Sequence, residues 1–447
     1  MDLTGRLRKL FGSKREDKSE DLEVLPRVYW REFQKRFEMD PRGAHGFLND
    51  REIEYSSEYC KSWPKTLVIS MSSVCNILCR FCGQTVFHKQ YAAGRNLSYI
   101  DREKLKIIFK DVDRGYPQNV DLQGEGEPLI QPDFRDVYMF CRDKFPYSAM
   151  RVCTNGVALT ESVTDFLIEG NLAWLNVSLN AGSEVVHEKV VGVRVFRTIV
   201  KNIAYMQRRK SELGVDRPGI GMSFVLGRFN LADVENFIRV CADLGVKSAA
   251  IPYMTVVHQE MFDASVIHEK YRTNKMLDRC RKLALDLGVN VTFPPPFEGA
   301  DRKNEQTVPP IPEYNFRENY SIRAKAWQKA LDEGLSETPL GSIVGDLSVR
   351  PLIAKPAALR CTYPWDFIFI KGTGDALLCC GAFGNEDGNI LNDGFWKVWN
   401  GPVRRFLRRT VNSNHVDGLC NVCPLNKVRD VNDSETHVFP GVITDRH

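Results

Sequence analysis

Cys75, Cys79 and Cys82 place three thiols within eight residues of chain. Thiolates this close on one loop can each take one iron of a cubane iron–sulfur cluster, since such clusters are normally held by cysteine sulfur. Three protein ligands on a four-iron cluster leave the fourth iron open to an outside chelator. An open iron can do chemistry that a fully ligated cluster cannot. Other uses of the triplet stand beside this one. Zinc needs a fourth ligand, and His88 would complete a Cys3His set. A disulfide would strand one cysteine of three, and thiols can also simply pack.

A second set lies near the C-terminus: Cys361, Cys379, Cys380, Cys420 and Cys423. Four thiolates saturate a cluster and leave no open iron, which suits electron transfer rather than chelation of a substrate. Cys379 and Cys380 are adjacent, and adjacent thiols do not easily face one cubane. One of them ligates while the other is a small buried hydrophobe. Cys-x2-Cys with two distant cysteines is also zinc spacing, so a zinc ribbon stays open on these residues alone.

Such groups need a scaffold that presents strand ends. The apolar residues Leu67, Val68, Ile69 and Met71 read as a buried strand just before the first cysteine. Asp101 opens a helix whose Leu105, Ile108, Phe109 and Val112 share one face. Strands follow over 119–123, 150–153 (ending in the turn Thr154-Asn155-Gly156), 173–179, 221–226 and 248–252. Helices intervene over 132–143, 160–169, 195–210, 231–244 and 266–287. Six βα units in a row predict an α/β protein with a parallel sheet and ligand groups at the strands' carboxyl ends.

The domains expected are an N-terminal helical extension and charged linker (1–60), the βα domain (61–295), a linker or lid with a helix over 317–333 (296–354), and a C-terminal cysteine-rich domain (355–447). Pro294, Pro295, Pro296, Pro309, Pro310 and Pro312 mark the break. Tyr29, Trp30, Phe33 and Phe37 form a helical stripe. Leu3, Leu7, Leu10 and Phe11 also sit at helical spacing among Arg6, Arg8, Lys9, Lys14 and Arg15. That segment is expected to pack on the body or fray, since so few apolar residues hold a membrane weakly.

The 447 residues carry a net charge of +4 from 61 basic and 57 acidic side chains, too balanced to imply a nucleic-acid partner. An odd number of cysteines, 13, in a long chain argues against a secreted disulfide framework. No apolar run approaches the ~20 residues that span a bilayer. The expected location is cytoplasmic and reducing, without a transmembrane segment.

Cys-x3-Cys-x2-Cys after an apolar strand, with Phe81 before the last cysteine, resembles the radical SAM superfamily. The C-terminal order Cys361…Gly374-x4-Cys379…Cys420-x2-Cys423, flanked by Trp365, Gly388, Trp396 and Trp399, resembles the SPASM or twitch extensions of that superfamily. The resemblance implies a partial (β/α)6 barrel with a small auxiliary-cluster domain. It implies a SAM-binding 4Fe-4S cluster on Cys75, Cys79 and Cys82. A second, auxiliary 4Fe-4S cluster would sit on Cys361, Cys379, Cys420 and Cys423. S-adenosylmethionine would be cleaved to a 5′-deoxyadenosyl radical, with a flavodoxin or ferredoxin as reductant.

Gln123-Gly124-Glu125-Gly126-Glu127-Pro128 is similar to the family's Gly-Gly-Glu motif, with Glu125 in place of its first glycine. The resemblance assigns Gly126 and Glu127 to the methionine moiety, Phe81 to the adenine, and Ser178 to the ribose or carboxylate. Val191 stands where relatives often have an arginine, which leaves Lys189 or Arg228 as substitutes. The candidates for an acid–base group or hydrogen donor are Glu125, His258, Glu260 and Cys380, with Cys153 and Cys60 as further thiols. Gln259 stands beside His258 and Glu260 after the sixth strand, and His187 and His88 are weaker candidates. The expected reaction is oxidation of a hydroxylated small molecule, by analogy with twitch-containing aminocyclitol dehydrogenases. Thioether or carbon–carbon crosslinking of a ribosomal peptide and radical epimerisation are the alternatives within the class. Outside it stands a non-catalytic zinc or iron–sulfur scaffold.

Overall fold

The computed structural model describes residues 26–82, 99–256, 259–305, 360–379 and 386–413, with a few positions between 308 and 318. Outside them lie the N-terminal segment with Leu3, Leu7, Leu10 and Phe11, the helix expected over 317–333 apart from Glu318, and His88, His258, Cys380, Cys420 and Cys423.

Two helices open the described chain, α1 (Arg27–Met39) and α2 (Pro41–Glu54). Between them Asp40 caps α2 by accepting the Gly43 N–H at 3.0 Å. Pro41 fits the first turn, where a missing N–H costs nothing. The alternating series then runs β1 (Thr66–Ser70), α3 (Arg102–Ile108), β2 (Asn119–Gln123), α4 (Phe134–Lys144), β3 (Ala149–Thr154) and α5 (Glu161–Glu169). It continues through β4 (Trp174–Ser178), α6 (Glu184–Val191), α7 (Phe196–Leu213), β5 (Gly219–Ser223), α8 (Val234–Asp243), β6 (Ser248–Ala250), α9 (Lys270–Asp286) and β7 (Asn290–Thr292). The C-terminal region adds β8 (Phe367–Ile370), β9 (Asp375–Leu377), β10 (Glu386–Asn389) and α10 (Pro402–Thr410). Side chains mark the boundaries as the sequence suggests. Asp101 caps α3 through the Lys104 N–H, and Thr160 caps α5 through the Val163 N–H.

Among the described residues, ten strands form one open sheet in the order β10-β9-β8-β1-β2-β3-β4-β5-β6-β7, with β1 to β7 parallel. The expected α/β architecture with six βα units is present, and β7 adds a further parallel strand. Strand alternation divides the side chains. Leu67, Ile69, Val120, Leu122, Met150, Val152, Leu175, Val177 and Met222 are buried in the main core. The opposite face carries Asp121, Arg151, Cys153, Asn176, Ser178 and Ser223 in facing pairs: Asp121 opposite Arg151, Cys153 opposite Asn176, Ser178 opposite Ser223.

Two features depart from expectation. The segment between β4 and α7 holds a separate helix, α6. The C-terminal region also does not stand apart from the sheet: β8 pairs in parallel with β1, Val68 opposite Phe369. The β8–β9 hairpin turns at Gly374, whose φ of +88° suits glycine. The N-terminal helices pack by the predicted stripe, with Phe33 buried beside Ala44 and Leu48 and flanked by Trp30 and Phe37.

Candidate active site

The loops after β1 and β2 are sewn together backbone to backbone. The Gly126 N–H donates to the Ser72 carbonyl and the Glu127 N–H to the Val74 carbonyl, each at 2.8 Å. That approach requires glycine: a Cβ on Gly126 would stand 2.1 Å from the Val74 oxygen, and one on Gly124 2.6 Å from the Ser72 oxygen. The Gly-rich motif thus lies flush against the cysteine loop. Further along, the Cys82 N–H donates to the Cys79 carbonyl, and the Arg80 N–H reaches the Val190 carbonyl on α6, both at 3.0 Å. Val190, Val191 and Ile77 pack as a buried apolar cluster against Cys75, Cys79 and Phe81. All three cysteines are half-buried. Among the described residues, no three His, Cys, Asp or Glu side chains gather as ligands of one metal ion would. A cubane sets a looser requirement, because each thiolate takes its own iron.

Glu127 is buried, and its carboxylate accepts from the Thr154 hydroxyl at 2.5 Å, the Asn155 N–H at 2.7 Å and the Leu129 N–H at 3.1 Å. Burial pushes its carboxyl up to about 7, against the pull of those donors. The side chain therefore clamps the ends of β2 and β3 together, and it is the backbone at 126–127 that faces the cysteine loop. Glu125 is half-buried at the same strand ends. Phe81 lies parallel to Phe229, ring centroids 6.1 Å apart, at the edge of a cluster of Met254, Val256 and Met261. The Ser178 hydroxyl sits 3.2 Å from that of Ser223 and 3.9 Å from the Cys153 sulfur, and Asn176 Nδ2 donates to both Cys153 Sγ (3.4 Å) and Ser223 Oγ (3.2 Å). Arg151 meets Asp121 through two hydrogen bonds of 2.5 Å.

Arg228 is not a substitute clamp for a cofactor carboxylate. It is buried, and its guanidinium is taken by Glu269 at 2.8 Å and the Asp263 carbonyl at 2.6 Å. Lys189 is exposed on α6. Glu260 falls within the short helix Gln259–Asp263, its side chain outside the described residues. In the C-terminal region Cys361 is held by Asn412, whose Oδ1 accepts the Cys361 N–H at 2.8 Å and whose Nδ2 donates to the Cys361 carbonyl at 2.9 Å. Cys379 packs on Leu378, Phe406 and Leu407. In the sequence Asn155 reads only as part of a turn. In the structure its amide donates to Cys75 Sγ at 3.8 Å and to Asn76 Oδ1 at 2.7 Å.

Residues 69–241 match the model of the radical SAM superfamily, and residues 361–424 match SPASM, an iron–sulfur cluster-binding domain. The chain belongs to the radical SAM superfamily. The two matched domains imply 4Fe-4S clusters and S-adenosylmethionine as its cofactors. It is 28% identical over 180 residues, 40% of this chain and 54% of the relative, to a probable GTP 3′,8-cyclase of Saccharolobus islandicus. It is 21% identical over 232 residues to the tungsten-containing aldehyde ferredoxin oxidoreductase cofactor-modifying protein of Pyrococcus furiosus, covering 52% of this chain and 62% of that one. The chain thus spans little more than half the length of these curated relatives. The fold is shared with SuiB of Streptococcus suis, solved with S-adenosylmethionine, at a TM-score of 0.52 and 14% identity over 94% of this chain and 87% of that one. The residues present fit the family's cofactor: three half-buried thiols, two of them packed on apolar side chains, a glycine-lined approach that any Cβ would close, and an amide donor on one sulfur. Among the described residues no helix is long and apolar enough to cross a membrane.

Proposed function

We propose that this radical SAM enzyme removes a hydrogen atom from a hydroxylated small molecule lying against the polar face of the sheet, and completes its two-electron oxidation. When bound, the cofactors supply a hydrogen-abstracting 5′-deoxyadenosyl radical and an acceptor for one electron. Cys75, Cys79 and Cys82 are the proposed ligands of the open cluster. Cys361, Cys379 or Cys380, Cys420 and Cys423 are those of the second. Gly126 would let the methionine moiety approach, with Phe81 beside the adenine and Ser178 beside the ribose. The hydroxyl proton needs a base, for which Glu125, His258 and Glu260 remain the candidates. A flavodoxin or ferredoxin in a reducing cytoplasm is the proposed electron source.

The polar strip carries this reading. On the face away from the helices, Asn176, Ser178 and Ser223 offer an amide and hydroxyls within one hydrogen-bonded patch. Beside it the Trp174 indole covers Gly219 and Gly221, whose added Cβ atoms would meet it at 2.6 Å. A polyol ring has polar edges and an apolar face, which matches a hydroxyl patch beside an indole. The test is anaerobic turnover of the reconstituted enzyme with S-adenosylmethionine, reductant and a panel of carbon-deuterated polyols and aminocyclitols. Deuterium in 5′-deoxyadenosine together with a carbonyl product is expected. Uncoupled cleavage with every carbinol, but turnover of a ribosomal peptide, would replace this reading by peptide modification.

Epimerisation is favoured by one observation. The Cys153 thiol shares the polar patch, and burial pushes its pKa up, so it keeps its hydrogen. In that reading the S–H bond breaks as a C–H bond forms on the substrate, and the sulfur radical is reset by one electron from the reductant and one proton from solvent. Solvent deuterium in the product, lost in Cys153→Ser, distinguishes it from oxidation.

A further inference from the structure

Asn155 is almost wholly buried, at 6% exposure, and its amide is oriented by its surroundings. Its Oδ1 accepts the Val157 N–H at 3.0 Å, which assigns the oxygen to that side and turns the NH2 group toward the cysteine loop. The two amide hydrogens then have two acceptors: Asn76 Oδ1 at 2.7 Å and Cys75 Sγ at 3.8 Å. Neither the turn nor the amide is left to drift. The Asn155 N–H is held by Glu127 Oε2, the Gly156 N–H by Thr154 Oγ1 at 3.0 Å, and the carbonyls of Gly156 and Val157 by Asn202 Nδ2 at 2.9 and 3.2 Å. This chain of contacts connects a buried carboxylate on the loop after β2 to a single sulfur on the loop after β1.

We infer that Asn155 is a positioning residue that raises the reduction potential of the cluster on Cys75, Cys79 and Cys82 by donating a hydrogen bond to the Cys75 sulfur. The inference rests on the ligand assignment made above. The physical reason is electrostatic. Iron-bound thiolate sulfur gains negative charge when the cluster is reduced, so an N–H aimed at it favours the reduced form more than the oxidised one. Hydrogen bonds to the sulfurs are among the levers that set such potentials. The alternative is that Asn155 only shapes the turn, through Val157 and Asn76.

The variants Asn155→Asp and Asn155→Ala separate these. Asp is isosteric and keeps the acceptor for Val157, but it turns an oxygen rather than an N–H toward the sulfur. Ala removes both. The experiment is an EPR-monitored redox titration of the full-length holoenzyme, in which perturbation by S-adenosylmethionine marks the open cluster's signal. Iron and sulfide content and thermal unfolding are measured alongside. At a fixed potential the ratio of reduced to oxidised cluster is expected to fall on the order of tenfold in each variant, about 59 mV for one electron, and further in Asp than in Ala. An unshifted potential with an intact signal overturns the inference. So does loss of the signal in both variants with unfolding unchanged, since Asn155 would then govern assembly of the loop. A wild-type chain lacking any signal sensitive to S-adenosylmethionine would instead sink the ligand assignment, and this inference with it.

Discussion

Asn400 and Cys60, 340 residues apart, pair as two strands would: the Cys60 N–H donates to Asn400 Oδ1 at 2.8 Å, and Asn400 Nδ2 donates to the Cys60 carbonyl at 2.9 Å. Around this pair the buried Arg408 of α10 donates to the carbonyls of Pro364, Glu58 and Trp399. Trp365 and Trp399 donate through Nε1 to the carbonyls of Ser57 and Ser62. The segment after α2 is therefore fastened to the SPASM region by side chains standing in for a ladder. Asn400→Ala is expected to lower stability by about 2 kcal/mol, since it removes both bonds and an acceptor for Arg408. Arg408→Met should cost about 3–5 kcal/mol, because several buried carbonyls lose their donor. Urea unfolding of the full chain measures both.

Gly126→Ala should abolish close packing of the two loops and with it cluster loading. A backbone oxygen 2.1 Å from the new Cβ cannot retreat as a flexible side chain would. Gly214→Ala is the control. Its φ of +63° makes alanine cost about 1–2 kcal/mol, but nothing lies within 4 Å. Iron content after reconstitution is expected to collapse in the first variant and to stay at the wild-type level in the second.

Acid should weaken the fold through His45 and His187. Burial holds His45 down to about 3 and His187 down to about 4, below the ordinary 6.5. Each stabilises the folded chain above pH 6.5. That stability is lost as pH falls toward the folded pKa, by about 1.4 kcal/mol per pH unit per histidine. Glu127, pushed up to about 7, slopes the other way: its contribution is full below about 4.5 and lost as pH rises through 7. His45→Asn should flatten the acid limb and Glu127→Gln the limb above pH 4.5, read from urea midpoints between pH 4 and 8.

Asn176→Ala tests the polar patch. It removes the amide that donates to Cys153 and Ser223. KM for the proposed hydroxylated substrate is expected to rise roughly tenfold, the equivalent of one hydrogen bond of about 1.4 kcal/mol. Cleavage of S-adenosylmethionine in the absence of substrate should be unchanged. An unaltered KM would exclude this face as the binding surface.

Much of this molecule was legible in the chain, for identifiable reasons. β2 falls on 119–123 as read, because a five-residue apolar alternation between turn residues has few other solutions. The start of the helix behind Asp101 was legible from its cap and from Leu105 and Ile108, but the helix ends at Ile108, so Phe109 and Val112 are buried from the turn that follows it. What stayed hidden depends on residues distant in sequence. Arg228 reads as available for a cofactor carboxylate, but Glu269, 41 residues on, holds it. Glu127 looked like a ligand contact, and only its burial against the end of β3 shows it as a clamp. Asn155 reads as an ordinary turn residue, since nothing in Thr-Asn-Gly says where an amide will point. The pairing of β8 with β1 has no local signature at all, because parallel neighbours need no short connection.

That pairing has a consequence for how the polypeptide must be made. Until β8 emerges, about 300 residues after β1, the outer margin of β1 is an open row of amides and carbonyls, flanked by the oily Val68. At ribosomal rates this interval lasts on the order of 15–60 s. An uncovered margin of this kind invites pairing with another chain. Nascent or truncated chains ending before Phe367 should therefore cling to chaperones or to one another, while the finished chain, its border sealed by its own tail, should not.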